Sequence, residues 1–292
     1  MKTRQNFVRV KKSKHDSSMK TRSRTLKNIK RQRGKYPILA ENIVQMSDII
    51  LEILDLRFVK ETRNPEIEGM IEKQGKKIIY VFNKSDLIDR EKIDREYVSK
   101  LRPGVFVSCI NRKGIKDLRD RIKAVSSQIK YPVDKFQGKV TVGVVGYPNT
   151  GKSSVINLLS GRSVARVSTE AGFTKGIQKV NLTSNVVLLD SPGIIPNREY
   201  SSSNVKLMSR HTRVGARSSN QIKDPEIAAT DLIMELPGVF EKYYDLSVDG
   251  DPEMLLEELG RKKGFLKKGN EVNTDQAARL ILKDWQEGRI KK

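Results

Sequence analysis

Three short stretches carry residue types that could together bind and cleave a nucleoside triphosphate. Gly146-Tyr147-Pro148-Asn149-Thr150-Gly151-Lys152-Ser153 matches the pattern G-x-x-x-x-G-K-[ST]. Glycines in such a loop let the backbone wrap closely around a phosphate, and successive N–H groups at the following helix N-terminus point at the anion. Lys152 would reach the β and γ phosphates, and the Ser153 hydroxyl would bind the Mg²⁺ that bridges them. Taken alone, the match could be a glycine turn with a surface lysine. The apolar run 140–145 before it and the helix-like run 154–159 after it supply the strand-loop-helix setting that phosphate binding requires.

A second stretch, Asn83-Lys84-Ser85-Asp86, follows the apolar run 78–82. Asp86 can accept hydrogen bonds from both N1–H and the exocyclic amine of guanine, while the Asn83 amide can face the guanine carbonyl side. Adenine offers no such donor pair. A site built this way rejects the wrong base because its own buried polar groups would be left unpaired, so GTP is expected over ATP. Ser108-Cys109 ends the run 105–107 and provides a small-residue pair able to pack beside the base through backbone contacts, although an ordinary buried strand would read the same way.

The third stretch, Asp190-Ser191-Pro192-Gly193, follows the apolar run 186–189. Asp190 is expected to hold Mg²⁺ through water, and Gly193 can offer its backbone N–H to the γ phosphate. Thr174 is the favoured hydroxyl for closing over the metal, with Ser168 and Thr169 as alternatives. Ile194 stands where many small GTPases carry the glutamine that orients water, so unaided hydrolysis should be slow. The expected catalytic set read from these residues is therefore Lys152, Thr174 and Gly193. The nucleotide-binding set is Asn83, Lys84, Asp86, Ser108, Cys109, Asn149, Thr150, Gly151, Lys152, Ser153, Ser154 and Gly193, and the metal set is Ser153, Thr174 and Asp190.

The elements that must position these residues read as an α/β fold. Short apolar runs at 49–54, 78–82, 105–107 and 140–145 alternate with helix-like stretches at 65–74, 89–100 and 115–129. Near-continuous apolar strands interleaved with helices predict a mainly parallel sheet covered on both faces. Residues 196–220 are polar and read as a switch segment and linker. From Asp224 onward the pattern is helical, with Asp224-Pro225 and Asp251-Pro252 as helix starts and helical apolar spacing through Trp285. The expected division is a basic arm over 1–38, a nucleotide domain over 39–215 and a helical RNA-binding domain over 216–292.

Charge points to a polyanion. The 292 residues hold 57 Lys and Arg against 35 Asp and Glu, a net charge of +22. Residues 1–35 contain fourteen of the basic side chains and a single acid, Asp16, and too few apolar groups to offset the entropy of ordering. No run of 18 apolar residues, myristoylation pattern or prenylation box is present, so no membrane partner is expected. The lone Cys109 permits no internal disulfide, which fits a reducing, cytoplasmic setting.

The order of the motifs is unusual. The base-reading residues at 83–86 and 108–109 precede the phosphate loop at 146–153, whereas ordinary GTPases begin with that loop. One fold whose original termini are joined near 126–138 and reopened before residue 49 would read in this order. With Asp55-Leu56-Arg57, Thr62-Arg63-Asn64-Pro65, Gly146 to Ser153 in the form G-x-P-N-x-G-K-S, and Asp190 to Gly193 followed by a hydrophobic residue, the chain resembles the circularly permuted GTPases of the YlqF/YawG family over about residues 40–290. It departs from them in Ala171-Gly172-Phe173-Thr174, where the family reads P-G-T-T, and in Cys109, where it has alanine.

The resemblance implies a monomeric GTPase that binds GTP and GDP, assists maturation of the large ribosomal subunit precursor, and contacts ribosomal RNA through its C-terminal helices. It also implies potassium-assisted hydrolysis through Asn149. The local basic turn of Arg261, Lys262 and Lys263 with Lys267 and Lys268 suits RNA phosphates, or is a solvated loop between packed helices. Trp285 reads as a core anchor rather than a base-stacking platform. Two further classes stay open: an RNA-binding module that senses guanine nucleotide and barely hydrolyses it, and a membrane-surface GTPase recruited by its basic arm.

Overall fold

A computed structural model describes residues 35–130, 138–161, 178–195, 210–215, 222 and 224–292. The basic arm up to residue 34, Ser168, Thr169, Thr174 and most of 196–220 lie outside these. The chain forms a six-stranded, mainly parallel sheet with helices on both faces, an α/β fold, and a helical region at its C-terminal end.

The first half comprises α1 (Lys35–Met46), β1 (Ile49–Asp55), α2 (Val59–Thr62), α3 (Pro65–Lys73), β2 (Lys77–Asn83), α4 (Arg95–Ser99), β3 (Gly104–Phe106) and α5 (Ile115–Ser126). The second half comprises β4 (Val140–Val145), α6 (Lys152–Ser160), β5 (Gln178–Asn181) and β6 (Val186–Asp190). The helical region follows with α7 (Pro225–Glu235), α8 (Val239–Tyr244), α9 (Pro252–Lys262) and α10 (Thr274–Gln286). The strand order is β3-β2-β1-β4-β6-β5, parallel throughout except for β5, which runs antiparallel to β6 at the edge.

β1 and β4 are wholly buried because residues alternate between two covered faces. Ile49, Leu51 and Ile53 pack with Leu118 and Ile122 of α5 and Val155 and Ile156 of α6. Ile50 points the other way, against Ile43 and Val44 of α1 and Ile67 and Ile71 of α3. Each such buried Ile or Leu contributes about 1.5–3 kcal/mol, which is why the apolar runs outweigh their polar interruptions.

Two elements differ from the sequence expectation. The stretch 89–100 is a 3-10 turn at Arg90–Lys92 and the short α4, because Ile93 is extended and the Asp94 carboxylate caps a new helix by accepting from Tyr97 N–H at 3.0 Å. The polar linker reading of 196–220 also fails in part. His211, Thr212 and Val214 are buried, and Val214 belongs to the apolar core of the helical region.

The topology places the site. The chain leaves β1 in one direction toward β2 and β3, and leaves β4 in the other toward β6 and β5. The crevice at the carboxyl ends of β1 and β4 is therefore the topological switch point, where ligands bind in open α/β sheets. Pairing of Asp55 with Asn83, and of Val144 with Asp190, brings the ends of β1, β2, β4 and β6 to this same edge.

Candidate nucleotide site

The phosphate loop is shaped by close backbone approach. Gly146 has φ 147°, and a Cβ there would sit 2.4 Å from the carbonyl oxygen of Ile53. Gly151, with φ 94°, leads into α6 and faces the Asn83 amide, which a Cβ would meet at 2.2 Å. Thr150 Oγ1 donates to the Tyr147 carbonyl at 2.9 Å and closes the turn. Lys152 is buried, and its ammonium donates to the carbonyls of Gly146 at 3.1 Å and Tyr147 at 2.7 Å. Burial pulls this ammonium down to about 8, against the attraction of Asp190. Ser154 lies half-buried in the first turn of α6.

The base-reading motif reaches this loop directly. Asn83 Nδ2 donates to the Thr150 carbonyl at 2.8 Å across 67 residues of chain. Its Oδ1 is buried with no hydrogen-bond partner among the described residues. Lys84 takes a left-handed backbone conformation, φ 61°. Ser108 Oγ donates to Asp86 Oδ1 at 2.6 Å, so the residue expected to pack beside a base also fixes the carboxylate expected to read it. Cys109 is half-buried, and burial pushes its thiol up to about 11, which keeps it protonated at neutral pH.

At the end of β6, Ser153 Oγ donates to Asp190 Oδ2 at 3.2 Å. Asp190 Oδ1 is buried and unpartnered among the described residues, and burial raises the carboxyl above its usual range against the pull of Lys152. An orphaned buried carboxylate oxygen beside a hydroxyl is an arrangement that a hard cation such as Mg²⁺ would satisfy. Thr174 lies outside the described residues. Gly193 packs on Pro148, whose Cα a Cβ would meet at 2.6 Å. Ile194 donates its backbone N–H to Gly146 O at 3.1 Å while its side chain is buried among Ile50, Val145, Val187 and Leu189. It is thus a core residue that points into the sheet rather than toward the phosphate loop.

Sequence reasoning attached no role to Asp55 and Arg57, which prove central. The Arg57 guanidinium bonds both Asp55 oxygens, Nε to Oδ1 at 3.0 Å and Nη2 to Oδ2 at 2.8 Å, and Lys84 Nζ reaches Oδ2 at 2.9 Å. Burial alone would raise the Asp55 carboxyl, but the guanidinium and then the ammonium override it and hold it well below the usual carboxylate range. The motif lysine is therefore anchored through a buried ion triad. The available signal was the Asp55-Leu56-Arg57 stretch that carried part of the family resemblance, which gave the two residues no role. Asn149 was expected at the phosphates, and its Nδ2 donates to the carbonyl of Gly215 at 2.8 Å.

In the helical region, Arg261 pairs with Glu257 at 2.7 Å, and Lys262 donates to the carbonyls of Tyr244 and Asp245. Lys263, Lys267 and Lys268 stand exposed beside them. No helix among the described residues is long and apolar enough to cross a membrane.

Comparison with known proteins agrees with this geometry. A family profile described as "50S ribosome-binding GTPase" matches residues 141–238. An uncharacterized GTP-binding protein of Methanocaldococcus jannaschii is 35% identical over 262 residues, covering 88% of this chain and 66% of that one. GTPase grn1 of Schizosaccharomyces pombe is 31% identical, with 88% and 61% covered, and nucleolar GTP-binding protein 2 of Neurospora crassa is 32% identical, with 85% and 40% covered. The chain therefore spans less than two thirds of these relatives. Among solved structures, GNP-bound YlqF from T. maritima superposes with a TM-score of 0.60 at 22% identity, covering 88% of this chain and 97% of that one.

Proposed function

Because the chain belongs to the YlqF-like, circularly permuted family of ribosome-binding GTPases, we propose that it binds and hydrolyses GTP with Mg²⁺, and uses that cycle to hold and release ribosomal RNA during large-subunit assembly. One observation carries the reading. The Asn83–Thr150 bond ties a carboxylate held ready for guanine to a loop and helix N-terminus held ready for phosphate, at one edge of one sheet.

Each residue then has a task. Asp86, oriented by Ser108, accepts from the two guanine donors. Ser108 and Cys109 flank the base, and Lys84 supports its face. Lys152 exchanges the two loop carbonyls for phosphate oxygens, so little is gained or lost in hydrogen-bond number while an ion pair is formed. The N–H groups of Thr150, Gly151, Lys152, Ser153 and Ser154 face the β phosphate, and that of Gly193 faces the γ phosphate. Ser153 and Asp190, with Thr174 as the further expected hydroxyl, would hold Mg²⁺, which would supply charge neutralisation at the phosphates. Asn149 is the residue through which potassium would assist.

The helical region, taken from 216, is the proposed RNA-binding part, with Lys263, Lys267 and Lys268 facing phosphate. The basic arm adds a second electrostatic contact. A cytoplasmic monomer suffices for this cycle. The burial of Ile194 favours one rival, a guanine-sensing RNA-binding module that scarcely hydrolyses, because no side chain at that position can orient water. Single-turnover GTP hydrolysis in potassium buffer, with and without large-subunit precursors, separates the two. Acceleration by the particles is expected. Unchanged turnover would favour the rival, and Lys152→Ala with unchanged nucleotide binding and particle association would contradict both.

A further inference from the structure

Trp285 is the single tryptophan of the chain and is fully buried in the last turn of α10. It is held from two segments of the chain. Its carbonyl accepts from Arg57 Nη1 at 3.1 Å, and the Arg57 guanidinium stacks 4.6 Å from the centre of its ring. Through Asp55, the same guanidinium is coupled to Lys84 of the base-reading motif. The indole N–H donates instead to the carbonyl of Arg213 at 3.0 Å, and the neighbouring Gln286 amide donates to Thr212 at 2.8 Å. Residues 210–215 end at Gly215, whose carbonyl takes the Asn149 amide of the phosphate loop.

A third contact runs through apolar packing. Tyr147, inside the phosphate loop, is fully buried in the same cluster as Phe58, Val214, Phe240 and Trp285. Its carbonyl is one of the two acceptors that hold the Lys152 ammonium. The chain end is fastened to the same place: Lys292 N–H donates to the carbonyl of Leu87, just after the base motif, and its ammonium donates to that of Arg57. The base side and the phosphate side of the site, separated by some 60 residues of sequence, thus meet at one side chain of the helical region.

We infer that Trp285 is a positioning residue that couples the nucleotide site to the C-terminal helices: displacement of α10 resets Lys84 and Asn149 together, and nucleotide at the site alters the surroundings of the indole. The inference rests on the site being a guanine-nucleotide site and deepens that reading. Such coupling is reciprocal, so whatever the helices bind shifts nucleotide affinity by the same factor by which nucleotide shifts theirs. Packed side chains and a buried ion triad transmit small shifts because they have few alternative arrangements.

The test uses the tryptophan itself. Mg-GDP and a non-hydrolysable Mg-GTP analogue are titrated into the full chain, with affinity measured by calorimetry and the environment of Trp285 by its emission. Emission is expected to change with the calorimetric midpoint. Trp285→Phe, which keeps an aromatic ring but removes the indole N–H, should weaken GDP binding about tenfold, within the usual range of coupling between sites. Arg57→Lys should lose part of the affinity and Arg57→Ala more of it. Heat of binding without any emission change overturns the inference alone, as does a Trp285→Phe protein that melts earlier yet binds GDP unchanged. No heat with either nucleotide overturns the site reading, and this inference with it.

Discussion

The two halves of the site are held in opposite ways. On the base side, Asp86 is fixed by Ser108, and Lys84 by the buried Asp55–Arg57 pair, so these two groups already have the partners that orient them, while Asn83 Oδ1 has none among the described residues. On the phosphate side, Lys152 is bonded to the carbonyls of its own loop and one buried Asp190 oxygen has no partner among the described residues, so a ligand would replace the first bonds and could supply the second. The comparison teaches a division of labour. On the proposed reading, specificity is set in advance by the half that the permutation places first, and the chemistry is left to the half that must rearrange as phosphate is bound and lost.

The largest effect should come from breaking the prearranged half at its tip. Asp86→Ala removes the acceptor for two guanine donors, and the preference for GDP over ADP is expected to fall by about a thousandfold, as competition binding would show. Next, Asp55→Asn leaves Arg57 and Lys84 buried without their counter-charge, and should destabilise the fold by about 3 kcal/mol in chemical denaturation. The sign of its pH dependence follows from a folded-state carboxyl held below its ordinary range. The stabilisation is present in full above about pH 5 and shrinks as pH falls below about 4, so the gap between wild type and Asp55→Asn should narrow in acid.

On the rearranging half, Lys152→Ala should weaken GTP binding by about a hundredfold while leaving thermal stability nearly unchanged, because the loop carbonyls it releases can take water. A stability loss as large as that of Asp55→Asn would erase the contrast between the halves. The smallest effect concerns Ile194→Gln. Placing an amide among Ile50, Val145 and Leu189 should cost about 1–3 kcal/mol and leave the hydrolysis rate within about threefold of wild type, since the side chain faces the core. A large gain in single-turnover rate would show instead that the position faces the phosphates.

Contiguous features were legible in the sequence. The phosphate loop, the Asn83-Lys84-Ser85-Asp86 tetrad and the runs that became β1, β2, β4 and β6 each announce themselves within about ten residues, and the permuted order follows from listing them. What was hidden depends on contacts between distant segments. Nothing local in Asp55-Leu56-Arg57 reports that its guanidinium meets a carbonyl 228 residues later. Residues 210–215 look polar, yet Val214 is buried because α10 supplies the apolar partner and the indole donor. Helix α1 escaped notice because the residues seen to pack on the sheet, Ala40, Ile43, Val44 and partly Met46, make a stripe too short to stand out beside a basic arm.

The central claim is a prearranged guanine reader joined to a phosphate cradle. Calorimetric titration of the full chain with Mg-GDP and Mg-ADP tests it most directly. The account predicts one GDP per chain and at least about a thousandfold weaker binding of ADP, whereas equal affinity for the two, or no binding of either, would contradict it.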